Sequence, residues 1–172
     1  MEYKYVVLLN TTIGAFMSQL DGNIVLISLP TILRVLPGTS TFDGIWIIMG
    51  YTLVTATTLL TIGRLGDIFG RVRLYNLGFA VFTIGSGLCS ISPNGVFLVF
   101  MRLVQGLGAA LIWANNAAIL TDAFPVTERG RALGINQVAG VSGSILGLVA
   151  GGVLTTFFGW RSIFYVNVPI GI

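Results

Sequence analysis

Charge is scarce in this chain. Only 9% of its 172 residues are charged, histidine is absent, and there is one lysine, Lys4, and one cysteine, Cys89. A single cysteine excludes a disulfide within the chain, and without histidine there is no set for a Cys/His metal site. No nucleophile is paired with a base and no phosphate-binding motif occurs, which speaks against an enzyme. The net charge of +3 is spread over separate arginines rather than gathered in a basic arm, so nucleic acid is not an expected partner. What fills the chain instead is apolar: 55% of residues are hydrophobic and the mean hydropathy is +0.92. Such a composition does not suit a surface in water and reads as an integral membrane protein, with the lipid bilayer as its first partner.

A membrane-crossing helix needs roughly 20 mostly apolar residues. Five such stretches are bounded by charges and turn residues, near 5–29, 43–63, 74–92, 95–122 and 131–158. Pro30 is expected to close the first, Pro37-Gly38-Thr39-Ser40 to turn the chain, and Ser92-Pro93-Asn94-Gly95 to separate the third from the fourth. From Val166 the sequence VNVPIGI turns apolar again and reads as a sixth span cut off at its first turns. The expected fold is all-α, a polytopic transmembrane helix bundle of five spans plus the start of a sixth, with residues 1–172 as one unit. The first stretch is interrupted by Asn10, Gln19 and Asp21 and has no small-residue cleavage site, so it reads as a retained span and not a signal peptide. A cytoplasmic N-terminus places Lys4, Arg64, Arg71, Arg73, Arg129 and Arg131 inside against Arg34 and Arg161 outside, in keeping with the positive-inside rule.

The few charges then become informative. Gly63 to Arg73, GRLGDIFGRVR, concentrates Arg64, Asp67, Arg71 and Arg73 between two apolar segments and reads as a short turn whose glycines, Gly63, Gly66 and Gly70, permit close backbone approach and positive φ. Asp122, ending the fourth span on the same side, is expected to pair with Arg64 or Arg71. Two ionisable residues fall inside spans, Asp21 and Arg102, where charge is costly and usually faces a bundle interior or cavity. Asn10, Gly14, Ser18, Asp21 and Ser28 recur near a helical period, as do Arg102, Gln105, Gly106, Ala109, Trp113 and Asn116, and the two stripes should line a shared cavity. At a rise of about 1.5 Å per residue, Asp21 and Arg102 lie at similar depth and can meet. The fifth span carries Gly143, Gly147 and Gly151 at a spacing of four, continued by Ala139 and Thr155. That small-residue face lets another helix approach, as a packing seam or as a hinge.

The pattern Gly63, Leu65, Asp67, Gly70, Arg71 resembles the signature loop of the major facilitator superfamily, which lies there between the second and third spans on the cytoplasmic side. Asp21 with Leu29-Pro30 is similar to the first-span motif of the drug:proton antiporters with fourteen spans. FMRLVQGLGAA resembles their fourth-span motif, whose arginine is implicated in proton coupling. ILGLVAGG resembles their fifth-span motif but has Gly147-Leu148 where that motif usually reads Gly-Pro, and GWRSIFYVNVPIG is close to the stretch before their sixth span. The resemblance implies the N-terminal part of a carrier that exports small organic compounds or drugs by alternating access, driven by a proton gradient and without a cofactor. Substrate and proton coupling would fall to Asp21, Arg102, Gln105 and Asn116. The implied location is the cell (plasma) membrane, multi-pass, and the implied partners are a small organic substrate and a C-terminal half or partner chain. Two other readings stand beside it: a truncated membrane fragment or assembly partner that does not transport, and a carrier of a small metabolite.

Overall fold

The computed structural model describes residues 3–171, so Met1, Glu2 and Ile172, at the ends of the expected unit, lie outside the described residues. Among the described residues seven helices follow in order: α1 Tyr3–Val35, α2 Thr41–Phe69, α3 Arg71–Ser90, α4 Gly95–Ala123, α5 Val126–Phe158, α6 Ser162–Tyr165 and α7 Asn167–Gly171. The first five are long and apolar enough to cross a membrane, and no strand occurs among the described residues. The fold is therefore the expected all-α polytopic bundle. The apolar run after Val166 begins as α7.

Three expected boundaries move, one of them the start of the fifth span, which begins at Val126 directly after Pro125 and not near 131. Pro30 does not close the first span: α1 runs five residues past it, to Val35. At 33 residues α1 is about 50 Å long, more than the ~30 Å hydrocarbon core requires, and its last turns follow Pro30. There Ile32 and Leu36 bury completely or nearly so against Ile47, Leu98 and Phe164. That packing carries the helix past a proline that in a helix interior removes a backbone hydrogen bond and costs roughly 3 kcal/mol. The chain turns only at Pro37-Gly38, where Gly38 has φ +64°. Ser40 and Asp43 then start α2 with a reciprocal capping box.

The charged stretch 63–73 is likewise not an extended turn. α2 continues through Phe69, Arg71 opens α3, and Gly70 alone breaks the helix, with φ +99°, a conformation that side-chain-bearing residues rarely adopt. Gly63, Arg64 and Asp67 thus lie on the last turns of α2. The glycines divide the expected roles: a Cβ at Gly66 would collide with Oδ1 of Asn115 on α4, whereas one at Gly63 would meet nothing.

α1 lies along α5, and α4 contacts both α2 and α3. The α1–α5 contact is the expected close approach. A Cβ at Gly143 would collide with the Phe16 carbonyl oxygen, one at Gly147 would sit 2.6 Å from that of Leu20, and one at Gly151 2.8 Å from that of Ile24. Each step of four on α5 matches a step of four on α1, as two parallel helices require. Thr155 continues the row through a 2.6 Å hydrogen bond with Ser28. At the opposite end Lys4 and Glu128 tie the two helices by a 2.9 Å ion pair.

Candidate functional site

Asp21 and Arg102 meet, as the shared depth of their stripes anticipates. Nη1 of Arg102 donates to Oδ2 of Asp21 at 2.5 Å, with both side chains at most 1% exposed. The same Nη1 donates to Oε1 of Gln105 at 2.8 Å, while Nε2 of Gln105 donates to Oδ1 of Asp21 at 2.9 Å. Gln105, one turn along α4 from Arg102, therefore closes a ring with both members of the pair. Nε of Arg102 donates to the Ile47 carbonyl at 3.1 Å, and the guanidinium lies 4.2 Å from the centre of the Tyr51 ring, both on α2.

Two members of this cluster are missing from the sequence reading. Nδ2 of Asn167, the first residue of α7, donates to Oδ1 of Asp21 at 2.7 Å and to Oγ of Ser86 on α3 at 3.0 Å. Ser86 in turn donates to the Phe164 carbonyl at 2.9 Å. The available signal is an asparagine opening an otherwise apolar run, VNVPIGI. A polar side chain there is costly unless it has a partner inside the bundle.

Other expected members stand apart. Asn116 is buried but donates to the Thr11 carbonyl at 2.9 Å, tying α4 to α1 two turns or more from the pair. Asn10 is exposed, so the polar stripe on α1 starts at Gly14 rather than Asn10. The expected shared cavity is an open groove of about 430 Å³ whose wall includes Ser18, Tyr51, Thr52, Thr55, Arg102 and Trp113. Asp21 is not on that wall. The charge bordering the groove is the guanidinium, with the carboxylate behind it.

At the end of the bundle holding the α1, α3 and α5 N-termini, Arg71 joins three helices. Its Nη1 is 2.7 Å from Asp122 on α4, and its Nη2 is 2.8 Å from Asp67 on α2. Of the two expected donors to Asp122, Arg71 makes the pair and Arg64 is exposed without an ion pair among the described residues. All three of Arg71, Asp67 and Asp122 are at least one-third exposed, so each pair contributes at most about 1 kcal/mol.

Comparison with known proteins gives the family and the fold. A family model described as Major Facilitator Superfamily matches residues 11–172, and the chain belongs to that superfamily. It is 44% identical over 172 residues to the riboflavin transporter RibZ of Clostridioides difficile, covering all of this chain and 38% of RibZ. It is 39% identical over 166 residues to the multidrug resistance protein Stp of Mycobacterium tuberculosis, covering 95% of this chain and 30% of Stp. The chain thus spans roughly a third of the length of these relatives. Its fold matches a bacterial homologue of the human lysosomal transporter Spinster, in an inward-facing and occupied conformation, with a TM-score of 0.83 at 19% identity over 99% of this chain and 43% of that one.

Proposed function

We propose, from membership of the major facilitator superfamily, that residues 1–172 form the N-terminal bundle of a carrier that exports small organic compounds in exchange for protons. It would lie in the cell membrane with a cytoplasmic N-terminus. The observation that carries the reading is the fully buried Asp21–Arg102 pair placed directly behind an open groove. A buried ion pair adds little stability over apolar residues of the same volume, and ionisable side chains inside a membrane are expensive. Such a pair is more readily accounted for by work in the transport cycle than by folding.

The order of the groups supports a route for coupling. When Asp21 is ionised it holds the guanidinium through Nη1, with Gln105 bracing both. A proton on Asp21 removes the charge that Arg102 faces, and the guanidinium, already bordering the groove, becomes available to a substrate there. A cationic substrate does not reach Asp21 in this conformation. Tyr51 and Trp113 offer aromatic faces and Thr52 and Thr55 offer hydroxyls, which suits a flat, uncharged or anionic aromatic compound. The same groove favours a second reading, the carrier of a small metabolite, since the relative named as a riboflavin transporter handles a compound of that shape.

The test is flux through the complete gene product in vesicles with an imposed pH gradient, with riboflavin and the uncharged aromatic drug chloramphenicol as probes of the two substrate types. Asp21→Asn should insert normally and lose pH-driven flux of whichever probe is carried. Wild-type proton exchange by Asp21→Asn would return the pair to a packing role.

A further inference from the structure

Every side-chain hydrogen bond to Asp21 among the described residues is donated to it. Gln105 and Asn167 donate to Oδ1 and Arg102 to Oδ2, while Tyr51 of α2 and Cys89 of α3 are the other titratable side chains beside the pair. The remaining described acids, Asp43, Asp67, Asp122 and Glu128, stand at helix ends and take no part. This shell fits a carboxylate. A proton placed on Asp21 turns one of its oxygens into a donor, and that donor needs an acceptor which the shell in its present orientation does not offer.

Two amides adjoin the acid, and their free capacity differs. Oε1 of Gln105 already accepts from Arg102 Nη1 at 2.8 Å and from the Cys89 thiol at 3.8 Å. Oδ1 of Asn167 is buried and has no hydrogen-bond partner among the described residues. A buried acceptor left empty costs free energy, and such a group in a native core calls for an explanation. The Asn167 amide faces Asp21 with its nitrogen because a carboxylate demands a donor. Rotating that amide by half a turn would present Oδ1 to both the Asp21 hydroxyl and the Ser86 hydroxyl, and would release the Phe164 carbonyl that Ser86 now occupies.

We propose that Asn167 is a positioning residue for proton coupling, whose amide turns when Asp21 takes a proton and transmits the change through Ser86 to the Phe164 carbonyl beside the α6–α7 junction. The inference rests on the reading that Asp21 exchanges protons, and it adds the element that responds. α6 ends at Tyr165 and α7 starts at Asn167, so the relay acts at a break between two short helices packed on α3. No atom is transferred beyond the single proton on Asp21. The remaining changes are rotations of an amide and a hydroxyl.

The experiment is infrared difference spectroscopy of the complete gene product across a pH titration, reading the C=O stretch of the protonated Asp21 carboxyl. The band is assigned by its loss in Asp21→Asn. Asn167→Leu keeps the volume and removes the acceptor, so the band should move up, toward that of a carboxyl without a hydrogen-bond acceptor. Ser86→Ala removes the competing donor to Oδ1, so the bond from Asp21 should tighten and the band move down. These opposite shifts are not expected of a merely structural Asn167, and Ser86→Ala decides alone if Asn167→Leu fails to fold. An unmoved band in Ser86→Ala, or in both variants, overturns the relay while leaving proton exchange at Asp21 intact. Absence of any titrating carboxyl band in the wild type would remove the proton-coupling reading itself.

Discussion

At the scale of single residues, the site separates what stabilises the bundle from what would drive it. Arg102 uses Nε for a carbonyl, Nη1 for a carboxylate and an amide, and its flat face for Tyr51. Removing one partner of such a pair leaves a buried charge, so Arg102→Met alone should destabilise the protein in detergent by about 3–5 kcal/mol. Replacing both partners, Asp21→Leu with Arg102→Met, should recover most of that loss in chemical unfolding while pH-driven flux stays absent. Flux surviving in the double variant would separate the pair from coupling. Arg102→Lys keeps the charge but loses the planar fork, so it should insert yet transport more slowly in the vesicle assay. The residues behind these expectations were largely legible: Asp21 and Arg102 stand out as charges within apolar runs, and helical spacing adds Gln105. Asn167 stands out only as a polar residue in an apolar run, and its meeting with Ser86 was not legible, because it depends on α7 folding back against α3, which no periodicity within one helix encodes. Asn116 shares the stripe of Arg102, but at 14 residues' distance it meets a different neighbour, the Thr11 carbonyl.

At the scale of elements, the glycine row of α5 was readable and its partner was not. A spacing of four marks a face that accepts close approach, but only the fold identifies α1 as the helix against it. Gly147→Ala puts a methyl group 2.6 Å from the Leu20 carbonyl oxygen, and backbone cannot yield as a flexible side chain would. Overpacking of this kind costs roughly 1–3 kcal/mol, measurable by unfolding in detergent. A Cβ at Gly152, next to the row, would meet no neighbouring atom within 4 Å outside its own helix turn. There alanine should be neutral or slightly stabilising, by up to about 1 kcal/mol, because glycine is the poorer helix former. Equal losses at both positions would mean that the row is not a contact face. Helix boundaries were harder to read for a related reason. Pro30 and the charged stretch 63–73 carry local breaking signals, yet apolar burial beyond Pro30 and the length of α2 override them, and the chain yields only at Gly38 and Gly70.

At the scale of the whole molecule, the charges other than Asp21 and Arg102 divide between the two ends of the bundle. Lys4 meets Glu128 and Arg71 meets Asp122 at one end, while Arg161 donates to the Ser92 carbonyl at the other. If the arginine-rich end faces the cytoplasm, as the positive-inside rule directs, a cysteine introduced at Ile68 and one introduced at Thr41 should label from opposite sides. Both positions are exposed, on the last turn of α2 and at its start respectively. The natural Cys89 is fully buried, so each single-cysteine addition has one reactive thiol without further engineering. With a membrane-impermeant maleimide added to intact cells, Thr41→Cys should react and Ile68→Cys should react only after the membrane is opened. The reverse pattern would invert the bundle and place the arginine-rich end outside, against the positive-inside rule. Labelling of both from outside would show that α2 does not cross the membrane, contrary to its 29-residue apolar length.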